Sequence, residues 1–300
     1  MMIARREQLV ELKNILYLTD FSQPSEQALP YAIAMARRYD AKLHSLHVFM
    51  PAPYAGKTPG MAAAGMEAEE EIARKEMQRI ESQLSGLQHQ EIVESGLGVW
   101  ATVDQTIKDF AINLIVMGTH GRTGPERLLL GSVTEEVFRR AHVPVITIGP
   151  GVRNGAHSGG RFRRVLFATD FAPASVAAVP YAVSLAQENE ARLLLLHVVR
   201  MSDPPNDAAR FEMSVAEMIH ILYEIVPQDA QLAIPPQVAI EYGNPAERIV
   251  HAAKTRGADV IVLGVRSAAE HLGAATHVLR ATAHEVVAHA SCPVLTVRGE

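Results

Sequence analysis

Apolar and polar positions follow two rhythms along this chain. Short apolar runs such as Leu114-Ile115-Val116-Met117 are too brief for helices and read as buried strands. Between them lie longer stretches whose apolar residues recur at helical spacing. In the first half these rhythms predict strands at 15–19, 42–49, 89–94, 113–118 and 145–148. They predict helices at 25–39, 67–84, 99–110 and 132–140. Strands alternating with helices argue for an α/β fold, a parallel sheet with helices on both faces. The helix from Glu67 carries Glu70–Arg74 and Glu71–Lys75 at i,i+4 spacing, the mark of a solvated face. Residues 50–66 hold three prolines and three glycines and read as a long surface loop.

The pattern then repeats. Tyr17-Leu18-Thr19-Asp20-Phe21 returns as Phe167-Ala168-Thr169-Asp170-Phe171. At the same offset Pro30-Tyr31-Ala32 returns as Pro180-Tyr181-Ala182, and Leu46-His47-Val48 as Leu196-His197-Val198. Further on, Leu114–Gly118 is matched by Val260-Ile261-Val262-Leu263-Gly264, and Val143-Pro144-Val145 by Cys292-Pro293-Val294. The direct reading is two repeated domains, 1–150 and 162–300. The Gly-rich stretch 151–161 between them reads as a flexible linker. Pro30 and Pro180 fall inside their first-helix patterns, so a kink is expected in both.

One stretch suggests chemistry. Gly118 ends an apolar strand, and Ser132 opens a helix. Between them the spacing is Gly118, two residues, Gly121, nine residues, Gly131-Ser132. Glycines let a backbone approach an anion closely, and the N–H groups at a helix start point at it. The Ser132 hydroxyl adds a donor. Arg122 and Arg127 could neutralise phosphate charge, and His120 could touch it. The plainer alternative is a turn closed by a capping box, Ser132-x-x-Glu135. Asp20 ends the first strand. A carboxylate only accepts, so it suits an adenine amino group or a ribose hydroxyl. Its plainer role is to start the first helix together with Ser22.

The spacing resembles the ATP-binding loop of the universal stress protein family, G-x2-G-x9-G-[S/T], at all four positions. The likeness to a tandem member covers nearly the whole chain. It implies that each domain is a five-stranded parallel sheet in the order 3-2-1-4-5. It implies ATP, with Mg2+ arriving on the phosphates, held by Asp20, Val48, Gly118, Gly121, Arg122, Gly131 and Ser132, with the backbone of Val48 reading the adenine. It implies a regulatory role in stress responses in the cytoplasm, with hydrolysis absent or slow. It also implies pairing through the last strands, 143–148 and 292–297, as an intrachain pseudo-dimer, with further homodimerisation open. The protein partner stays unnamed. The competing reading is an enzyme, a nucleotide hydrolase or an adenylyl-transferring protein of the wider adenine-nucleotide hydrolase-like group.

Composition narrows the rest. With 300 residues, 48% of them hydrophobic, each domain has material for a core. A net charge of -5 speaks against a sequence-independent nucleic-acid partner. Cys292 is the sole cysteine, so no internal disulfide forms, which fits a reducing cytoplasm. No apolar run approaches the roughly 20 residues of a membrane span, so no membrane partner is expected. The charged stretch 1–14 does not read as a signal peptide. No G-x-S-x-G, H-E-x-x-H or G-x4-GK[ST] motif occurs, so no catalytic set is expected. His284 and His289, or His271 and His277, are spaced poorly for a metal, and none is expected beyond nucleotide-borne Mg2+.

The second half departs from the motif. Gly264 is kept, but Ser267 stands where a glycine is required, and Arg280-Ala281 replace Gly131-Ser132. Asp170 and Val198 survive, and Arg266, His277 and Arg280 are candidate anion partners. The expectation is one ATP per chain, in the first half.

Overall fold

The computed structural model describes residues 10–50, 59–96, 98–119, 130–152, 161–200, 214–266 and 282–299. They form two compact units, built mainly on Leu12–Ile148 and Arg161–Glu300. The first runs β1 (Asn14–Leu18), α1 (Gln23–Tyr39), β2 (Lys42–Phe49), α2 (Pro59–Glu81), β3 (His89–Ser95), α3 (Val99–Asp109), β4 (Leu114–Gly118), α4 (Ser132–Arg140) and β5 (Val145–Ile148). Its strands are parallel and ordered 3-2-1-4-5. The order reverses at β1, which lies between β2 and β4. Ligands of such sheets bind at that crevice, beyond the carboxyl ends of the strands.

Alternation along the strands sends apolar groups to both faces. Leu16, Leu18, Ile115 and Met117 join Val103 of α3 and Val137 of α4 in one buried cluster. The opposite face is covered by α1, which packs on β1 and β4, and α2, which packs on β2 and β3. Tyr17 points to that side and donates to the Ser25 carbonyl at 2.9 Å. The outer face of α2 carries the expected pairs, Arg74–Glu70 at 2.5 Å and Lys75–Glu71 at 2.7 Å, all exposed.

The second unit repeats the plan with β6 (Arg164–Thr169), α5 (Pro173–Val176), α6 (Val179–Asn189), β7 (Arg192–Val199), α7 (Val215–Glu224), β8 (Gln237–Tyr242), α8 (Pro245–Arg256), β9 (Val260–Val265), α9 (Thr282–His289) and β10 (Val294–Arg298). Its parallel strands are ordered β8-β7-β6-β9-β10, the same 3-2-1-4-5 arrangement.

Two local expectations change. The long loop at 50–66 is shorter than its prolines and glycines suggest, because α2 already begins at Pro59. Proline is tolerated in a first helical turn, and the Ala, Met and Glu that follow are good helix formers. The shared proline has two outcomes. α1 runs through Pro30. In the second half the helix stops at Val176 and restarts at Val179, with Pro180 in the new first turn. A proline N is no donor wherever it stands, and restarting the helix places it where no donor is needed.

Among the described residues no helix is long and apolar enough to cross a membrane. Cys292 is buried, and burial pushes its thiol up to about 12, so it is an inert core residue.

Candidate functional site

The crevice between β1 and β4 is organised by a tight turn after β1. Phe21 takes a left-handed backbone conformation, φ 61°, which is costly for a bulky side chain. Three interactions hold it there. The Phe21 N–H donates to Thr19 Oγ1 at 3.0 Å, and its ring lies 4.3 Å from that of His47. His47 Nδ1–H in turn donates to the Thr19 carbonyl at 2.8 Å. The second half builds the same turn with Phe171 at φ 63°, Thr169 and His197. The role of these residues was not evident from their types. The signal was their recurrence at one offset.

Asp20 sits on this turn, partly exposed. Its Oδ1 accepts from the Ser22 N–H at 3.1 Å and from the Ser22 hydroxyl at 2.5 Å. Ser22 is the N-cap of α1. Asp20 therefore does start the helix, by fixing its cap. In the second half Ala172 replaces Ser22, and Asp170 Oδ1 accepts instead from the Ala172 N–H and from Ser175 Oγ at 2.6 Å. Arg266 lies 3.8 Å from Asp170 Oδ2. Burial opposes ionisation of Asp170, but these donors and the nearby guanidinium outweigh it and hold the carboxyl below its usual range.

Val48 lies near the end of β2 and packs on the core cluster. The last rung from β1 is the Thr19 N–H donating to the Leu46 carbonyl at 3.0 Å. Strand alternation turns the Val48 carbonyl to the same side as that of Leu46, past this last rung. Its backbone therefore faces the crevice rather than another strand.

Gly118, at the end of β4, has a packing role. A Cβ there would lie 2.5 Å from the Pro24 carbonyl oxygen, inside the first turn of α1. At Gly264 the equivalent Cβ would meet the Ala174 carbonyl oxygen at 2.0 Å. The close approach of helix to strand thus accounts for this glycine in both halves without a ligand.

At α4 the helix cap is Gly131, and no side chain caps it. Ser132 lies inside the first turn with its side chain exposed, so the capping box with Glu135 does not form. Glu135 N–H, the first to bond back, reaches the Gly131 carbonyl at 2.9 Å. The N–H groups of Ser132, Val133 and Thr134 precede it, and the cap residue Gly131 offers them no side chain. The Gly131 N–H donates to the Thr119 carbonyl at 2.8 Å, and Thr134 Oγ1 donates to the Gly118 carbonyl at 3.0 Å. These bonds set the start of α4 directly beyond the end of β4. Gly121, Arg122, Arg127 and His120 lie outside the described residues, as do Ser267, His271, His277, Arg280 and Ala281. The structure therefore brings together Asp20, Val48, Gly118, Gly131 and Ser132 around one crevice. Among the described residues no group of three or more His, Cys, Asp or Glu could hold a metal.

The corresponding crevice of the second half is a cavity of about 110 Å³, bounded by Asp170, Val198, Arg200, Ile249, Gly264 and Thr282 among others. Sites for drug-sized ligands are usually about 300–1,000 Å³.

Comparison with known proteins agrees with this architecture. The sequence profile of the universal stress protein family matches residues 11–149 and again 161–298. A universal stress protein of Methanocaldococcus jannaschii is 34% identical over 144 residues, covering 45% of this chain and 81% of that protein. One from Mycolicibacterium smegmatis is 26% identical over 293 residues, covering 95% of this chain and 97% of the other. The crystal structure of a universal stress protein from Archaeoglobus fulgidus is similar at a TM-score of 0.71 and 22% identity, covering 96% and 99% of the two chains. The fold, the crevice and the doubled match lead to one conclusion: the chain belongs to the universal stress protein family, with two such domains in tandem.

Proposed function

We propose that this chain binds one adenine nucleotide, ATP accompanied by Mg2+, in the crevice of its first half and serves a regulatory role in a stress response. The observation that carries the reading is the start of α4. Its cap residue, Gly131, offers no side chain to the first N–H groups, Ser132 adds an exposed hydroxyl, and both stand at the end of a complete G-x2-G-x9-G-S spacing. Such a helix N-terminus favours an anion through its N–H donors and its dipole. Gly131 and Ser132 would take phosphate oxygens. Gly121 and Arg122 enter the proposal through the spacing alone. The Val48 backbone would meet the adenine edge, and Asp20 would accept from a ribose hydroxyl while still fixing Ser22. Gly118 lines the site but owes its identity to packing.

Mg2+ would arrive with the phosphates, as this hard cation usually does. The setting proposed is the reducing cytoplasm, in keeping with one buried cysteine. Pairing through the last strands, within and between chains, belongs to the same proposal. The domain limits proposed are 1–150 and 162–300, with 151–161 as linker.

The experiment is a calorimetric titration of ATP with Mg2+ into wild type and into the double variant Gly131→Ala, Ser132→Ala. Loss of the hydroxyl removes one or two hydrogen bonds of about 1 kcal/mol each, and the added methyl crowds the phosphate. Affinity should fall at least about tenfold. Equal affinity in the two proteins would remove the start of α4 from the site.

A further inference from the structure

The second sheet has a basic cavity at the end opposite its crevice, where the strands begin. It measures about 180 Å³ and lies between the sheet and the end of α8. Arg164 opens β6 and Arg192 opens β7, and the two stand side by side in the ladder. Arg256 is the last residue of α8. Strand alternation puts Leu166 and Leu194 on the same face as the two arginines, together with Gln237, the partner of Leu194. That is the face α8 covers, since Arg164 reaches the carbonyls that end this helix. The cavity therefore has a floor of buried Leu166 and Leu194 and a rim of three guanidinium groups and one amide. None of the described residues that line it is acidic.

Arg164 is held in place. Its Nη1 donates to the Arg256 and Gly257 carbonyls, both at 3.1 Å. Gly257 caps α8 in a left-handed conformation, φ 62°, and a Cβ there would collide with the guanidinium. These bonds satisfy the last carbonyls of α8, whose partial negative charge would otherwise repel an anion. A guanidinium has five N–H groups, so donors remain for another acceptor. The nearby carboxylate is turned to the backbone: Asp259 Oδ2 accepts from the Arg163 and Arg164 N–H groups at 2.7 and 2.9 Å. The exposed side chains of Arg192 and Arg256 have no hydrogen-bond or ion-pair partner among the described residues.

The first half builds nothing similar. At the equivalent ladder positions stand Asn14 and Lys42, and Lys42 Nζ donates to Gln90 Oε1 at 2.7 Å. At the offset that matches Leu114 to Val260, Arg256 takes the place of Phe110, whose ring packs on His44. The second half thus exchanges one satisfied cation for three around one cavity. Like charges side by side on neighbouring strands repel, and an anion among them turns that repulsion into attraction.

We propose that this cavity binds a small oxyanion of the phosphate class, with inorganic pyrophosphate held more tightly than phosphate because it carries more charge. Planar guanidinium forks match phosphate oxygens two at a time, and the apolar floor strengthens each of these bonds. The size selects the ligand too. At about 30 Å³ per water the cavity of about 180 Å³ has room for about six waters, enough for a small ion, whereas larger organic ligands usually need about 300 Å³ or more.

The test is a calorimetric titration of inorganic pyrophosphate, without magnesium, into the intact chain carrying Gly131→Ala and Ser132→Ala, so that the start of α4 contributes least. One site per chain is expected, with the NMR signals of the Arg164, Arg192 and Arg256 side-chain Nε–H groups shifting along the same curve. Adding Arg192→Gln with Arg256→Gln should weaken binding about tenfold or more. Arg37→Gln with Arg38→Gln removes the same charge from the exposed end of α1 in the first half, and should change affinity by less than about twofold. Arg192→Lys keeps the charge without the fork and should weaken binding by itself. If the double glutamine variant does not fold, this milder change still decides. No saturable binding would overturn the proposal, as would equal losses in the two arginine pairs, undiminished affinity in Arg192→Lys, or signal shifts confined to residues outside the cavity.

Discussion

The two halves share a frame and differ in what they bury. Both build the left-handed Phe turn on Thr and His, and both bring a glycine against the first helix. Yet three buried polar positions of the first half are apolar in the second. Tyr17 corresponds to Phe167, His44 to Leu194 and Ser45 to Leu195, at equivalent places in the β1–β2 and β6–β7 ladders. The helix cap Ser22 corresponds to Ala172. What recurs is therefore the device that shapes the crevice, and recurrence alone is no sign of a ligand. A functional claim must rest on what differs, namely the complete glycine spacing of the first half.

His44 shows how far the cores have diverged. Its Nε2–H donates to Asn14 Oδ1 at 3.2 Å, its ring lies 4.8 Å from that of Phe110, and its Nδ1 has no partner. Burial, with Lys42 adding to it, lowers its pKa to about 4. The imidazole is thus kept neutral in the folded first half, and the second half has no counterpart to titrate.

The comparison is tested hardest at its shared feature. Gly264→Ala should cost about 3 kcal/mol or more, since the methyl meets backbone and something must move, and Gly118→Ala should cost somewhat less. Urea unfolding followed by circular dichroism measures both. Near-wild-type stability in either would mean that the helix approach is loose and would reopen a ligand-based reason for that glycine.

The difference at His44 predicts a dependence on pH confined to the first half. The unfolded chain takes up the proton near pH 6.5 and the folded chain only near 4. Stability should therefore be constant above about pH 6.5 and fall as pH drops towards 4. The full loss is about 3 kcal/mol at about 1.4 kcal/mol per unit. Introducing the second half's residue, His44→Leu, should remove this part of the slope in urea midpoints measured at pH 7.5 and 4.5. An unchanged slope would show that other groups govern the acid response.

Much of this architecture was legible in the sequence, because strand and helix rhythms and the offset repeat report burial directly. Strand positions came within about a residue of those observed. What was not legible depended on contacts across space. Nothing local to Gly118 announces that Pro24 will lie against it. Ser132 and Glu135 have capping-box spacing, but the helix begins one residue earlier than that motif requires, with Gly131 as its cap. Pro59 and Gly60 look like loop residues until the helix-forming run beyond them is weighed. Asp20 was read as either ligand contact or helix starter, and its bonds to Ser22 establish the second while leaving the first to experiment.

The central claim is that only the first half holds a nucleotide. Trp100 is the single tryptophan of the chain, and it packs on the same first-half cluster as Val48 and Met117. A titration of the full-length protein with ATP and Mg2+, followed at once by calorimetry and by Trp100 fluorescence, measures stoichiometry and location together. The account predicts one site per chain, with the fluorescence change saturating along the same curve as the heat. Two equivalent sites, or one site whose filling leaves Trp100 unchanged, would contradict it.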